Sequence, residues 1–155
     1  MRLIIQTAAA LLLASNVSYA QSTTTDSFTY EAHALTLQDE GEKCQLSVTS
    51  PDGAIKRYGL DLHSPCYFLH STGTQPKHFA YPQDGIKALF IILGNPLTAD
   101  EQKIWRVKDA STCGTKGIGL HFDGQHFSLS KTSHDKMLLC RDRGVDEKVF
   151  NTLRD

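Results

Sequence analysis

Residues 113–140 read CGTKGIGLHFDGQHFSLSKTSHDKMLLC, two alternating runs between cysteines with an Asp-Gly pair at their centre. Asp123 and Gly124 predict a β-hairpin with a two-residue type I′ turn, because that turn needs positive φ at both central residues. The predicted strands cover residues 117–122 and 125–131. Because side chains alternate between the two faces of a strand, the hairpin has one apolar and one polar face. The apolar face comprises Ile118, Leu120, Phe122, Phe127 and Leu129, and the polar face Gly119, His121, His126, Ser128 and Ser130.

A two-residue turn places His121 directly opposite His126 on the polar face, with Cβ atoms about 5 Å apart. Two imidazoles this close can pair on a polar surface, form a pH-sensitive interaction patch, or share a metal ion. A zinc site needs three or four protein ligands, and only Asp123 and His134 lie near enough to add one. We therefore expect neither a metal nor another cofactor, and keep a periplasmic metal-binding protein as an alternative.

The first 20 residues are typical of a secretory signal peptide. Arg2 gives a positive start, an apolar run follows, and Ser18 and Ala20 supply the small residues that signal peptidase recognises. We expect residues 21–27 to form a disordered lead-in and residues 28–155 a single disulfide-stapled β-rich domain. The mature protein is expected to be periplasmic or secreted, without membrane insertion, because no other stretch is long and apolar enough.

Four cysteines follow the predicted signal: Cys44, Cys66, Cys113 and Cys140. An even number in an exported chain indicates two disulfides, and three pairings are possible. We favour Cys44 with Cys66 and Cys113 with Cys140, since each pair brackets a locally closing β segment. Metal ligation is the competing interpretation, but the chain has no C-x-x-C motif.

Alternation along the remaining chain predicts mainly β structure, an antiparallel sandwich or barrel-like sheet, with a short α-helix at the C-terminal end. The helix is indicated by the spacing of Val145, Val149, Phe150 and Leu153. A Thr98 to Glu101 capping box allows one helical turn before the next strand. The predicted strands are 28–37, 44–49, 54–62, 65–69, 86–93 and 103–108. Strand 86–93 is apolar enough to be buried on both faces.

Charge and motifs exclude several functions. A formal net charge of −1, without basic runs, argues against nucleic acid as the partner. The chain carries no nucleophile elbow, P-loop or dinucleotide fingerprint. Ser133, His134 and Asp135 are adjacent, whereas members of a catalytic triad converge from separate elements. We therefore expect no catalytic residues, and treat a small secreted effector or hydrolase as an alternative.

An export signal, a stapled scaffold and polar loops favour a small binding protein whose partner is another protein, an enzyme or toxin. The leading hypothesis is a periplasmic inhibitor or immunity protein that blocks a cell-wall-attacking enzyme, acting as a monomer or small homo-oligomer. Loops held by a rigid scaffold are the usual recognition elements. The candidate contacts are His121, Asp123, Gly124 and His126 at the hairpin tip, and Thr72, Gln75 and Lys77 in the 71–77 loop.

Overall fold

The computed structural model describes residues 22–71 and 73–155. The predicted signal peptide, residues 1–20, and the candidate contact Thr72 lie outside these ranges. The strands are β1 Thr23–Tyr30, β2 His33–Glu40, β3 Lys43–Thr49, β4 Ile55–His63, β5 Tyr67–Phe68, β6 Phe79–Tyr81, β7 Ile86–Pro96, β8 Cys113–Phe122, β9 Phe127–His134 and β10 Leu139–Cys140. Helix α1 spans Ala99–Trp105 and helix α2 spans Glu147–Asn151.

The strands form two antiparallel sheets. The first has the order β1-β2-β3-β4. The second has the order β10-β8-β7-β5, with β9 also paired to β8 and β6 to β7. The predicted fold class is confirmed, including the short helix near the C-terminal end. No helix in the described part of the chain is long and apolar enough to cross a membrane.

The main core lies between the two sheets. Alternate residues of β2, β3 and β4 point inward, among them Leu37, Leu46 and Leu62, each 0 % exposed. They meet apolar side chains of β7 and β8 on the opposite sheet. Strand β7 is buried on both faces, as its unbroken apolar run predicts, because Phe150 and Leu153 cover its outer face.

Both predicted disulfides are present, and they connect different parts of the fold. Cys44 lies in β3 and Cys66 just before β5, so their bond joins the two sheets. Cys113 and Cys140 lie directly opposite each other on the paired strands β8 and β10, so their bond reinforces one sheet.

The predicted first strand, 28–37, is wrong: it is two strands joined by a tight turn. Glu31 and Ala32 both adopt positive φ, 47° and 61°, which reverses the chain without a glycine or asparagine. The predicted disordered lead-in, 21–27, is also corrected, since β1 begins at Thr23. Asp26 is buried there and bonds to distant residues, a tertiary interaction that a Ser/Thr-rich sequence does not reveal.

The predicted strand 103–108 is likewise wrong. The Thr98 to Glu101 capping box forms as expected, and α1 continues through Trp105. Arg106 ends the helix in a left-handed conformation, φ 53°. Local capping outweighed the four-residue alternation, which is too short to distinguish a strand from a helix on the surface.

The hairpin of residues 113–140 forms, but with a four-residue loop. Phe122 pairs with Phe127, not with Gln125, and His121 pairs with Ser128. The predicted opposition of His121 and His126 is therefore wrong. The shift is two residues, an even number, so the predicted apolar face still points into the core.

Candidate functional site

The tip loop, residues 123–126, is the best-defined exposed loop among the candidate contacts. One carboxylate oxygen of Asp123 accepts hydrogen bonds from the backbone N–H groups of Gln125 and His126, each at 2.7 Å. The Asp123 N–H donates to the carbonyl of His126 at 3.2 Å, closing the loop. The two bonds from His126 and Gln125 lower the pKa of Asp123, so the carboxylate that organises the loop is ionised at neutral pH.

The base of the tip loop is anchored in the core. The rings of Phe122 and Phe127 pack with centroids 4.7 Å apart. The Tyr58 hydroxyl of the other sheet donates to the Phe127 carbonyl. The loop itself faces solvent, with the His126 side chain 78 % exposed and that of Asp123 57 % exposed. The result is a polar tip of fixed backbone shape.

His121 does not belong to this exposed tip. Its Nε2 donates to the carbonyl of Leu153 at 2.9 Å, and Nε2 of His134 donates to the neighbouring carbonyl of Thr152 at the same distance. The two imidazoles hold the tail, residues 152–155, across the outer face of β8 and β9. The polar face of the hairpin is therefore largely used inside the molecule.

The 71–77 loop lies along a different edge of the second sheet, between β5 and β6. Gln75 is exposed, whereas the Lys77 ammonium donates to the carbonyl of Val145 at 2.8 Å and is anchored there. The 71–77 loop is anchored by Lys77 to the segment before α2, whereas the tip loop is anchored through Phe127 to Tyr58 of the first sheet. The two groups of candidate contacts therefore form separate surfaces.

Two of the three adjacent residues Ser133, His134 and Asp135 make contacts with other parts of the chain. His134 is engaged with the tail, and Asp135 lies 3.7 Å from the ammonium of Lys116. In residues 22–71 and 73–155, no group of three or more histidine, cysteine or acidic side chains could hold a metal ion.

A buried polar cluster was missed by the sequence analysis. Arg141 forms a two-pronged contact with the Asp26 carboxylate, at 3.1 and 3.2 Å. The same carboxylate accepts the N–H of Phe68 at 3.0 Å, and His70 Nε2 lies 3.6 Å away. The members come from positions 26, 70 and 141, so no local motif connects them. The cluster joins β1 to the second sheet.

The site is thus an exposed loop of defined geometry on a cross-linked sandwich. Compared with protein-family models, with curated proteins and with solved structures, the chain gives no significant match.

Proposed function

We propose that this protein is an exported inhibitor or immunity protein that blocks a cell-wall-attacking enzyme by placing the tip loop in its cleft. Two disulfides on a small β scaffold are consistent with export to an oxidising compartment. The predicted signal peptide supports the same location. The export signal, the cross-linked scaffold and the polar loops together favour an enzyme outside the cytoplasm as the partner.

The observation that carries the proposal is the preformed shape of the tip loop. Asp123 fixes the backbone through two N–H bonds while the His126 and Gln125 side chains remain exposed. A loop ordered before binding loses little conformational entropy when it enters a cleft. The scaffold below it is held by Tyr58 and by the Phe122 and Phe127 rings, so the loop projects rigidly.

The proposal is tested by measuring inhibition of a panel of muramidases and peptidoglycan amidases by the purified mature protein. We expect stoichiometric inhibition of at least one enzyme. His126→Ala should weaken it by removing an exposed contact, and Asp123→Ala should weaken it by releasing the loop backbone. The loss for a central contact is about 2 kcal/mol, or roughly thirtyfold.

Lys148→Ala, on the exposed surface of α2, is the matched control and should inhibit like the wild type. Absence of inhibition across the panel would contradict the proposal. Turnover of a hydrolase substrate by the protein alone, lost in His126→Ala, would favour the alternative of a secreted hydrolase.

A further inference from the structure

The two long sides of the sandwich are linked by different contacts. On the side of β1 and β5, Thr25 donates to the carbonyl of Cys66 at 2.7 Å, and Phe68 donates to Asp26. On the side of β4, the His63 N–H donates to Asn95 Oδ1 of β7 at 2.9 Å, and two further polar contacts flank Gly59. Tyr58 bonds to Phe127 on one side of Gly59, and Asp61 pairs with Lys116 on the other.

Between these two contacts lies a lateral groove of about 270 Å³. Its floor contains the apolar side chains of Ile118 and Leu129, and its β9 wall carries the hydroxyl side chains Ser130, Thr132 and Ser133. Along the groove runs the free edge of β4, which pairs only with β3 within residues 22–71 and 73–155. Half of the backbone N–H and C=O groups of such an edge are available to another strand.

Gly59 occupies the centre of this edge. Its φ is not in the left-handed region, and a Cβ added there would meet nothing within 4 Å. Neither its backbone conformation nor its own packing therefore requires a glycine. Glycine inside a strand is favoured where another backbone approaches closely.

The β4 edge and groove are basic although the chain as a whole has a net charge of −1. Lys56 and Arg57 are exposed on β4, and Lys131 lines the groove. Lys43 and Lys116 both pair with Asp61, and Lys116 also pairs with Asp135. The Asp155 carboxylate accepts a hydrogen bond from Thr132 at 2.6 Å, so five basic side chains lie near three carboxylates. This excess disfavours pairing between two copies of the edge and favours an acidic partner.

We propose that the β4 edge binds an extended, acidic segment of a partner protein, which adds as a fifth strand to the first sheet. Alternate side chains of such a segment reach the apolar floor at Ile118 and Leu129, while its backbone pairs with β4. Its carboxylates point to the opposite face, on the side of Arg57, while Lys56 and Lys131 add to the positive potential of the edge. This contact does not involve the tip loop and does not depend on the inhibitory role proposed above.

The test uses the acetylated and amidated peptide Glu-Val-Glu-Val-Glu-Val as the probe, with amide hydrogen exchange of the mature protein as the readout. We expect exchange in residues 55–60 to slow about tenfold at saturating peptide, because the outward N–H groups gain partners. The same peptide with alternate amides N-methylated should give no protection, since it cannot pair. A version with Lys in place of Glu should bind much more weakly.

The double variant Lys56→Glu with Arg57→Glu should weaken peptide binding at least about fivefold. The matched double variant Lys108→Glu with Lys148→Glu makes the same change of charge at two exposed positions away from the groove and should bind normally. The proposal is overturned if about 1 mM peptide leaves β4 unprotected or protects another edge instead. Equal binding of the Lys peptide, or self-association of the protein through β4, would also overturn it.

Discussion

The Asp26 carboxylate is a buried polar group with several hydrogen-bond partners. Its side chain is 4 % exposed, yet it accepts bonds from Ser27 and Phe68 and from the Arg141 guanidinium. A buried carboxylate is tolerated only when its oxygens are satisfied in this way. The cluster therefore fixes where β1 sits against β5, and it explains why β1 extends into the Ser/Thr-rich segment.

We predict that Asp26→Ala lowers the free energy of unfolding by about 2–4 kcal/mol, because it leaves the Phe68 N–H and Arg141 without their acceptor. Urea denaturation measures the change. The partial exposure of Arg141 keeps the expected loss below that of a fully buried pair. Asp142→Ala, at the exposed neighbour of Arg141, is the control and should change stability by less than about 0.5 kcal/mol. A similarly small effect of Asp26→Ala would refute this account.

Asp61 gives a prediction about pH. Hydrogen bonds from Lys116 and Lys43 lower its pKa from 3.8 to about 2. A carboxylate with a lowered pKa in the folded state contributes stability at pH values above its unfolded pKa. That contribution is lost as the pH falls from about 4 through about 2. An NMR titration of the Asp61 carboxyl should show a midpoint near 2 that rises towards 3.8 in Lys116→Met. Lys131→Met, a nearby lysine without a bond to Asp61, should leave the midpoint unchanged.

At the scale of elements, the faces of strands were predictable and the connections were less so. Leu120 and Phe127 face the core as predicted, because burial of apolar residues sets the alternation. The register of the same hairpin was not predicted correctly. The Asp123 carboxylate stabilises a four-residue loop by accepting the backbone N–H groups of Gln125 and His126. Side-chain to backbone bonds of this kind compete with the turn that an Asp-Gly pair favours.

The turn between β1 and β2 was not predicted, because it is a tight turn without glycine, asparagine or another residue typical of turns. Glu31 and Ala32 both hold positive φ, which is unfavourable for residues with a Cβ. We predict that Glu31→Asn with Ala32→Gly raises the free energy of unfolding by about 1 kcal/mol, since Asn-Gly suits this conformation. The loss of the exposed Glu31 to Lys87 ion pair should offset little of this gain.

Chemical denaturation of that double variant provides the measurement. Ala54→Gly, at a nearby turn residue without positive φ, serves as the control and should be neutral or slightly destabilising. A destabilised double variant would show that contacts of the Glu31 or Ala32 side chain matter more than the backbone conformation.

At the scale of the whole molecule, the disulfides should differ in what they hold. Each closes a loop of similar length, with sequence separations of 22 and 27. Loop entropy alone therefore predicts a loss of about 3 kcal/mol for removing either one. Replacing both members of a pair with serine and measuring urea unfolding tests this estimate.

We expect removal of Cys44 and Cys66 to be the more damaging, because that pair also joins the two sheets. Hydrogen exchange should then increase in strands of both sheets. Removal of Cys113 and Cys140 should affect mainly β8 and β10, which remain paired through their backbones. Equal and global effects of the two replacements would contradict this distinction.

Only part of the arrangement of the candidate site could be predicted from the sequence. The exposed positions of Asp123, Gly124 and His126 were predictable because turn residues are recognisable and lie on the surface. The contact of His121 with the Leu153 carbonyl was not predictable, because the tail that supplies it is 32 residues away in the sequence. The free edge of β4 was not identified at all, because the neighbours of a strand depend on the arrangement of the whole sandwich.

The groove between β4 and β9 implies a preferred place for the two sheets to separate. Thr25 donates to the Cys66 carbonyl and Asp26 accepts from the Phe68 N–H on the side of β1, and the Cys44–Cys66 bridge joins the two sheets covalently. Thermal motion should separate the sheets at this groove first. Transient solvent entry and proteolysis should therefore begin between β4 and β9, while the bonds on the side of β1 remain intact.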